Sequence, residues 1–165
     1  NPAPMQFQLM SEILLPDVMD IEQRAYPWPW TERMFRDSLN SGYLCHVLAD
    51  AGQLLGYTVI YVAVGECHIL NICVEPEKQG LGLGRMLLRH ALECAVDHGA
   101  EQAFLEVRPS NIAAMRLYES MGFVQVGLRK EYYPAGNARE DALVYQADLS
   151  GFGCPQQPTV GGFDR

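Results

Sequence analysis

Long apolar runs and an excess of basic charge are missing from this sequence of 165 residues. No apolar run approaches the roughly 18 residues that span a bilayer, so the sequence predicts no membrane helix. The first nine residues have neither a basic start nor an apolar segment, and they show no signal peptide. The 12 basic and 20 acidic side chains leave a net charge of -8. Such a surface repels phosphate backbones and disfavours nucleic-acid binding, although it suits a cationic partner.

The cysteines and histidines show no spacing typical of a disulfide set or a metal site. The five cysteines include no Cys-x-x-Cys pair. Cys67, Cys73 and Cys94 lie inside apolar patterns, which is typical of small core residues in a reduced protein. The histidines, at positions 46, 68, 90 and 98, form no metal-ligand spacing. The sequence therefore predicts a cytoplasmic protein without a bound metal.

The composition, 48% hydrophobic and 19% charged, is that of a folded domain. A chain of this size buries about 70% of its unfolded surface, enough for a core without disulfides or metals. We predict one domain over 5–149. The remaining segment, 150–165, carries four glycines, two prolines and two glutamines and is predicted to be a disordered tail.

Hydrophobic periodicity predicts an α/β fold with a mixed sheet. The expected order is strand, two helices, three antiparallel strands, helix, strand, helix and two strands. The last two strands are expected to be joined by a polar loop around 135–139. The predicted strands are 6–10, 43–49, 54–64, 67–74, 103–107, 123–128 and 142–149, and the predicted helices are 14–25, 32–39, 85–98 and 111–121.

A glycine cluster separates the fourth strand from the third helix. Its residues are Gln79, Gly80, Leu81, Gly82, Leu83, Gly84 and Arg85. Glycine lets the backbone approach a ligand closely, and the following helix N-terminus favours an anion, most often phosphate. The segment 78–90 supports this interpretation because it has three basic side chains and no acidic one. Three glycines alone also fit an ordinary tight turn into a helix.

Two other phosphate loops do not fit this cluster. A Walker loop needs Lys and then Ser or Thr after its last glycine, whereas Gly84 is followed by Arg85 and Met86. A dinucleotide fingerprint needs Gly-x-Gly-x-x-Gly after the first strand of a parallel unit. Here the spacing is Gly-x-Gly-x-Gly after a predicted antiparallel meander.

The pattern Gln79-x-x-Gly82-x-Gly84 resembles the acyl-CoA pyrophosphate loop of the GNAT acetyltransferase superfamily. The resemblance covers 5–149 and includes the order of elements, although relatives often carry a polar or basic residue at the position of Gly80. Further segments resemble the bacterial ribosomal-protein-alanine N-acetyltransferase (RimI) subfamily. They are Ile21-Glu22-Gln23-Arg24-Ala25 with Trp30, Leu105-Glu106-Val107-Arg108 with Ser110-Asn111, Leu117-Tyr118-Glu119, Tyr132-Tyr133-Pro134 and Arg139-Glu140-Asp141-Ala142.

The resemblance implies a single GNAT domain, with a mixed central sheet and helices on both faces. It also implies an enzyme that moves an acetyl group from acetyl-CoA to the N-terminal alanine of a small-subunit ribosomal protein, by direct attack of the amine. Two alternatives stay open: a GNAT enzyme for lysines or small-molecule amines, and a non-catalytic acyl-CoA-binding module. A pure binding module needs neither Glu106 nor Tyr118, the residues that the resemblance assigns to proton transfer.

Glu106 lies on a short strand and points away from its apolar neighbours, because alternate strand residues face opposite sides. Burial there would raise its pKa towards neutrality, as a general base requires. Periodicity alone fits an exposed edge-strand carboxylate equally well, and the resemblance favours the base, acting directly or through water. For Tyr118, a core position at helical spacing is the commoner situation, whereas the resemblance implies a proton donor facing the coenzyme sulfur.

The resemblance also implies which residues bind the coenzyme. Ile72, Cys73 and Val74 end a strand that splays from its neighbour in this superfamily and frees backbone groups for the pantetheine arm and the thioester oxygen. The residues of the glycine cluster hold the pyrophosphate. Asn111 reaches the pantetheine arm, caps the following helix, or does both. Cys73 is not expected to be a nucleophile, since no His-Asp pair supports it.

The acceptor groove is expected to be walled by aromatic and acidic residues. The aromatic ones are the segment 26–30, with Trp30, and the pair Tyr132 and Tyr133, although aromatics more often serve packing. Glu140 and Asp141 are expected to attract a basic peptide or simply to be solvated in a loop.

Overall fold

The computed structural model describes residues 4–136 and 138–152, so most of the predicted tail, from 153 onward, lies outside the described residues. These residues form seven strands and four α-helices, joined by short 3-10 helices at Glu12–Leu14 and Pro76–Lys78. The strands are Gln6–Leu9 (β1), Leu44–Asp50 (β2), Gln53–Ala63 (β3), Glu66–Val74 (β4), Gln102–Val107 (β5), Val124–Ala135 (β6) and Ala138–Asp148 (β7). The helices are Leu15–Ala25 (α1), Glu32–Asn40 (α2), Leu83–Asp97 (α3) and Ile112–Ser120 (α4).

All seven strands belong to one sheet in the order β1-β2-β3-β4-β5-β7-β6. Strands β4 and β5, which are joined through α3, run parallel, and every other neighbouring pair is antiparallel. The predicted order of elements, the antiparallel meander β2–β4 and the mixed sheet are therefore confirmed. In the described part of the chain, no helix is long and apolar enough to span a membrane.

Helices cover both faces of the sheet, as predicted. Successive strand residues point to opposite faces, so one strand contributes to two cores. Tyr57 and Val59 of β3 pack with Phe35 of α2 and with the apolar side of α1. Ile60 faces the other way and packs with Leu88 of α3, in a core that extends to α4 and β5.

The sheet splits between β4 and β5. Their pairing stops at His68 and Phe104, although both strands continue for several residues. The register of β3 with β4 shifts at the same level, because Val59 pairs with Asn71 whereas Ile60 pairs with Ile69. This shift leaves one extra residue on β4, a β-bulge, and bulges bend a strand and end its pairing. The predicted splay is therefore confirmed, and it opens a gap at the carboxyl ends of β4 and β5.

The last hairpin differs from the prediction. Strand β6 extends to Ala135 and β7 begins at Ala138. The connection between them is therefore two residues long, where a five-residue loop was expected. Tyr132, Tyr133, Glu140 and Asp141 therefore lie on strands. The extension projects past the core and its side chains are mostly exposed, so no alternation of burial marked it in the sequence.

Candidate functional site

Two cavities, of about 690 and about 620 Å³, open on the gap between β4 and β5. The larger, which we call the loop cavity, lies between the glycine loop 79–85, the end of β4 and the face of α4. The smaller, which we call the aromatic cavity, is lined by the segment between α1 and α2, by β5 and by the hairpin β6–β7. Tyr26, Ile72 and Tyr118 line both cavities, so the two spaces meet at these residues.

The glycine loop presents its backbone to the loop cavity. Gly80 and Gly82 both have a φ of +83°, and no atom lies within 4 Å of the Cβ that either would carry. Gly82 is also the residue immediately before α3, whose first N–H groups have no partner within the helix. A glycine-lined helix N-terminus of this kind can hold a phosphate group.

Most of the residues predicted to bind the coenzyme line the loop cavity. These are Ile72, Cys73, Val74, Gln79, Gly80, Gly82, Leu83, Gly84, Arg85 and Asn111. Leu81 does not, because its side chain is 68% exposed and points away from the cavity lining. Asn111 lines both cavities and also caps α4, since its Oδ1 accepts a hydrogen bond from the N–H of Ala114 at 3.2 Å.

The unpaired edge of β4 is tied to α1. The hydroxyl of Tyr26, the residue after α1, donates a hydrogen bond to the carbonyl of Ile72 at 2.6 Å. Because the C=O and N–H of one strand residue point to the same side, the N–H of Ile72 also faces the gap. Burial raises the pKa of Tyr26 well above its usual value, so this phenol stays a neutral donor.

Glu106 lines the aromatic cavity from β5, with Leu105 and Val107 buried on the opposite face, as its strand position predicts. Its side chain is only partly buried, at 27% exposure. The carboxylate Oε2 lies 2.5 Å from Nε of Arg129 on β6. The sequence considered a buried or an exposed carboxylate here, and the structure shows a half-buried one in contact with an arginine.

Tyr118 lies on α4 where the two cavities meet. Its side chain is buried, and its ring packs 5.9 Å from Phe123 and 6.5 Å from Tyr145. The residue is therefore part of the core and also lines the site, whereas its role as a proton donor stays a prediction. Its hydroxyl forms no hydrogen bond with the residues that the structure describes, and burial raises its pKa above the usual value. It is thus a neutral donor directed at the cavities.

Cys73 lines the loop cavity, but its side chain belongs to the core. It is buried with Tyr57 in the core beneath α1 and α2. Burial raises the pKa of its thiol to about 12, which keeps it protonated near neutral pH. A protonated thiol is a poor nucleophile, so the structure supports setting this residue aside.

Among the residues predicted to wall the acceptor groove, the segment 26–30, with Trp30, and Tyr133 line the aromatic cavity. Tyr132, Glu140 and Asp141 do not. Tyr132 is 44% exposed and stacks near the guanidinium of Arg129, whereas its neighbour Tyr133 does line the cavity.

The two acidic residues brace the protein internally. Glu140 accepts hydrogen bonds from the N–H and hydroxyl of Ser110, at 2.9 and 3.0 Å, and pairs with Arg108 at 3.3 Å. The hydroxyl of Ser110, together with its N–H and with Arg108, lowers the pKa of Glu140. Asp141 accepts a hydrogen bond from the N–H of Glu131 at 2.9 Å. Both carboxylates thus hold the hairpin in place.

Arg108 is a site residue that the sequence did not assign. Its guanidinium lies 4.6 Å from the ring centre of Trp28 and 4.3 Å from that of Tyr133. Its Nη1 also donates a hydrogen bond to the carbonyl of Pro134 at 2.7 Å. This side chain joins the two walls of the aromatic cavity and lines both cavities.

Glu22 is the second unassigned residue, and it lies at the wall of the aromatic cavity with 1% exposure. Its carboxylate accepts hydrogen bonds from the hydroxyl of Tyr57 at 2.6 Å, from Nδ2 of Asn71 at 3.1 Å and from the N–H of Trp30 at 3.0 Å. These donors come from three separate segments, so only the resemblance of the segment 21–25 could have pointed to it.

Comparison with known proteins agrees with this geometry. The profile of the acetyltransferase (GNAT) family matches residues 15–123. Since the match covers more than half of the chain, the protein belongs to the acetyltransferase (GNAT) family and is an acetyltransferase.

Within this family, the chain is similar to enzymes that acetylate a ribosomal protein. The [ribosomal protein bS18]-alanine N-acetyltransferase of Escherichia coli K12 is 39% identical over 136 residues, which cover 82% of this chain and 92% of that protein. A putative enzyme of the same description from Bacillus subtilis is 36% identical over 129 residues, covering 77% of this chain and 84% of its own length. The crystal structure of the Escherichia coli ribosomal-protein-S18-alanine N-acetyltransferase superimposes on this structure with a TM-score of 0.82 and 36% sequence identity. The match covers 88% of this chain and 94% of that one.

Proposed function

We propose that the protein transfers the acetyl group of acetyl-CoA to the α-amino group of the N-terminal alanine of ribosomal protein bS18. The observation that carries this proposal is the 39% identity to the Escherichia coli enzyme of that activity over 92% of its length. The site agrees with a two-substrate reaction, because one cavity fits a phosphate-bearing donor and the other an acceptor, and they share Tyr118.

The loop cavity is the proposed coenzyme site. Gly80 and Gly82 leave their backbone open to the cavity, and the N-terminus of α3 favours the pyrophosphate. The free edge of β4 at Ile72 offers backbone groups to the pantetheine arm, as Asn111 does with its side chain. Acetyl-CoA supplies an activated thioester, so the chain itself has to position the acceptor and manage protons.

We assign the proton transfers to two side chains. Glu106 takes a proton from the acceptor ammonium, directly or through a water, and its ion pair with Arg129 holds the carboxylate in place. Tyr118 donates a hydrogen bond towards the departing thiolate. A coenzyme thiol has a pKa near 8.5, and burial raises the pKa of Tyr118 above its usual value, so a hydrogen bond is favoured over complete proton transfer.

One carboxylate suffices for an α-amine. With a pKa near 7.8, roughly 14% of α-amino groups are neutral at pH 7, compared with about 0.04% of lysine side chains near 10.4. At equal binding, the neutral, reactive fraction of an N-terminal amine is therefore several hundred times that of a lysine side chain. The net charge of -8 further favours peptides with a basic residue after the first.

The test is acetylation of matched peptides, followed by mass spectrometry. One peptide begins Ala-Arg and contains an internal lysine, a second has the same sequence with a blocked N-terminus, and a third begins with a bulky acidic residue. We expect a single acetyl group on the first peptide, at its N-terminus, and none on the second. Raising the salt concentration should reduce the preference for basic peptides, because ions screen the surface charge.

Two results would contradict the proposal. Equal acetylation of the blocked and free peptides would assign the protein to lysine or small-amine acetylation within the same family. Tight binding of acetyl-CoA without transfer to any amine would be consistent with the loop cavity as the coenzyme site. It would, however, contradict the catalytic roles of Glu106 and Tyr118.

A further inference from the structure

A cluster of three potential metal ligands lies away from both cavities. His46 on β2 and His90 and Cys94 on α3 bring their ligand atoms within 4.8 Å of one another. His90 and Cys94 are one turn apart on the same helix face, and their Nε2 and Sγ atoms are 3.5 Å apart. His46 comes from a strand more than 40 residues earlier, so only the packing of α3 on the sheet completes the group.

The geometry fits zinc. Tetrahedral zinc with a Zn–S bond of about 2.3 Å and a Zn–N bond of about 2.05 Å separates sulfur from nitrogen by about 3.6 Å. This is close to the distance between Sγ of Cys94 and Nε2 of His90. We propose that His46, His90 and Cys94 bind one zinc ion, with water in the fourth position, and that the ion ties β2 to α3. Imidazole and thiolate together select zinc over magnesium or calcium.

The ring of His90 is oriented for binding. It stacks on Phe7 of β1, with ring centres 3.7 Å apart and an interplanar angle of 3°, and the ring of His46 lies nearly perpendicular to it at 4.9 Å. Stacking fixes the ring plane of His90 and leaves its nitrogen-bearing edge towards Cys94.

The surroundings favour a cation. Partial burial, and after it the carboxylates of Asp97 and Glu93, raises the pKa of the Cys94 thiol in the metal-free protein, so zinc must displace a proton to bind. The same two negative charges attract a cation. His98, the residue directly after α3, also acts electrostatically on His46.

An unsatisfied hydroxyl lies beside the cluster. Thr58 of β3 is the cross-strand partner of His46 and points to the same face of the sheet. It is 1% exposed, and its Oγ1 has no hydrogen-bond partner among the described residues. A water bound to the metal supplies such a partner on this face, so the proposed site explains a polar atom that the protein alone leaves unpaired.

The experiment uses the whole chain without added histidines. Cobalt(II) replaces zinc as a spectroscopic probe, because a cobalt–thiolate bond gives a charge-transfer absorption in the near ultraviolet. We expect one cobalt per chain with this absorption, and its displacement by zinc. Calorimetric titration with zinc chloride should give one site, whereas magnesium chloride should give no binding.

Two variants and one control identify the ligands. Cys94→Ser should abolish the cobalt–thiolate absorption and weaken zinc binding at least tenfold, and His46→Gln should weaken zinc binding by a similar factor. His68→Gln, a histidine outside the cluster, should bind as the wild type does. Zinc should also raise the thermal midpoint of the wild type and of His68→Gln, and leave that of Cys94→Ser unchanged.

The proposal fails if the wild type shows no cobalt–thiolate absorption. It also fails if Cys94→Ser retains that absorption or the wild-type zinc affinity, because another thiol or another set of ligands would then hold the metal. These measurements do not depend on acetyl transfer, so they are independent of the proposed enzymatic function.

Discussion

The hydroxyl of Tyr26 donates a hydrogen bond across 2.6 Å to the backbone carbonyl of Ile72, on the edge of β4 that β5 leaves unpaired. The backbone groups of an open strand edge need hydrogen-bond partners. The side chain of Tyr26 supplies the partner for the carbonyl of Ile72. The bond therefore holds α1 against the gap where the two cavities meet.

Removing this bond should destabilise the protein measurably. We expect Tyr26→Phe to lower the free energy of unfolding by about 1 kcal/mol, the usual contribution of one hydrogen bond. Urea denaturation measures the change. The control is Tyr43→Phe, since the half-buried ring of Tyr43 stacks on Tyr61 and its hydroxyl forms no hydrogen bond with described residues. Equal losses in the two variants would show that the bond to Ile72 contributes nothing specific.

The proposed catalytic groups should affect turnover and leave coenzyme binding intact. We expect Glu106→Gln and Tyr118→Phe each to lower kcat about tenfold or more. The dissociation constant of acetyl-CoA, measured by calorimetry, should stay within about twofold of wild type. Glu106→Gln should also change the acid limb of the pH–rate profile.

The control for this pair is Tyr145→Phe. Tyr145 is buried near Tyr118 and bonds to Glu119, but it lines neither cavity. Its variant should keep a near-wild-type kcat even if it is less stable. If Glu106→Gln retains full activity, Glu106 is structural and the amine arrives already deprotonated.

The glycine loop can be tested against a glycine of the same conformation elsewhere. Gly82 and Gly99 lie at the two ends of α3, with φ of +83° and +89° and open space where a Cβ would be. Gly82→Ala and Gly99→Ala should therefore suffer similar backbone strain and similar losses of stability, about 1 kcal/mol.

Only the first substitution should affect the coenzyme. We expect Gly82→Ala to weaken acetyl-CoA binding at least tenfold, because its methyl group enters the loop cavity, while Gly99→Ala binds normally. The bulkier Gly82→Val should abolish binding. Calorimetric titration of each folded variant with acetyl-CoA measures the affinity. An unchanged affinity in Gly82→Ala would show that the glycine loop does not bind the pyrophosphate.

The bonds of Glu140 predict a pH-dependent stability. Because its pKa is lowered from 4.5 in the folded protein, its stabilising effect is complete above that value and is lost as pH falls through the lower folded pKa. Glu140→Gln should therefore be less stable than wild type at pH 7, and the difference should shrink below about pH 4.5. Urea denaturation at several pH values measures it. The control Glu101→Gln, an exposed residue, should show no such convergence.

Much of the fold was predictable because its signals are local. Apolar spacing predicted all four helices and, apart from the outer half of the last hairpin, the seven strands. The glycine loop was visible because positive φ and an open helix N-terminus require glycine at particular positions. Alternation along β5 placed Glu106 opposite its buried neighbours.

Only the inner half of the hairpin β6–β7 was predicted from the sequence. Its outer half extends beyond the core, so solvent contacts both of its faces and no periodic burial constrains its sequence. The bonds of Glu140 to Ser110 and Arg108 then appear only when this hairpin folds back over the loop before α4.

The sequence by itself determined the order of elements, the mixed sheet, the glycine loop and the family, because each depends on residues that are neighbours along the chain. Only the tertiary structure decided what the gap in the sheet brings together. The stacking of Arg108 between Trp28 and Tyr133, and the approach of His46 to His90 and Cys94, join segments far apart in the chain. Such contacts depend on strand register and on how a helix packs across the sheet, and no local pattern encodes them.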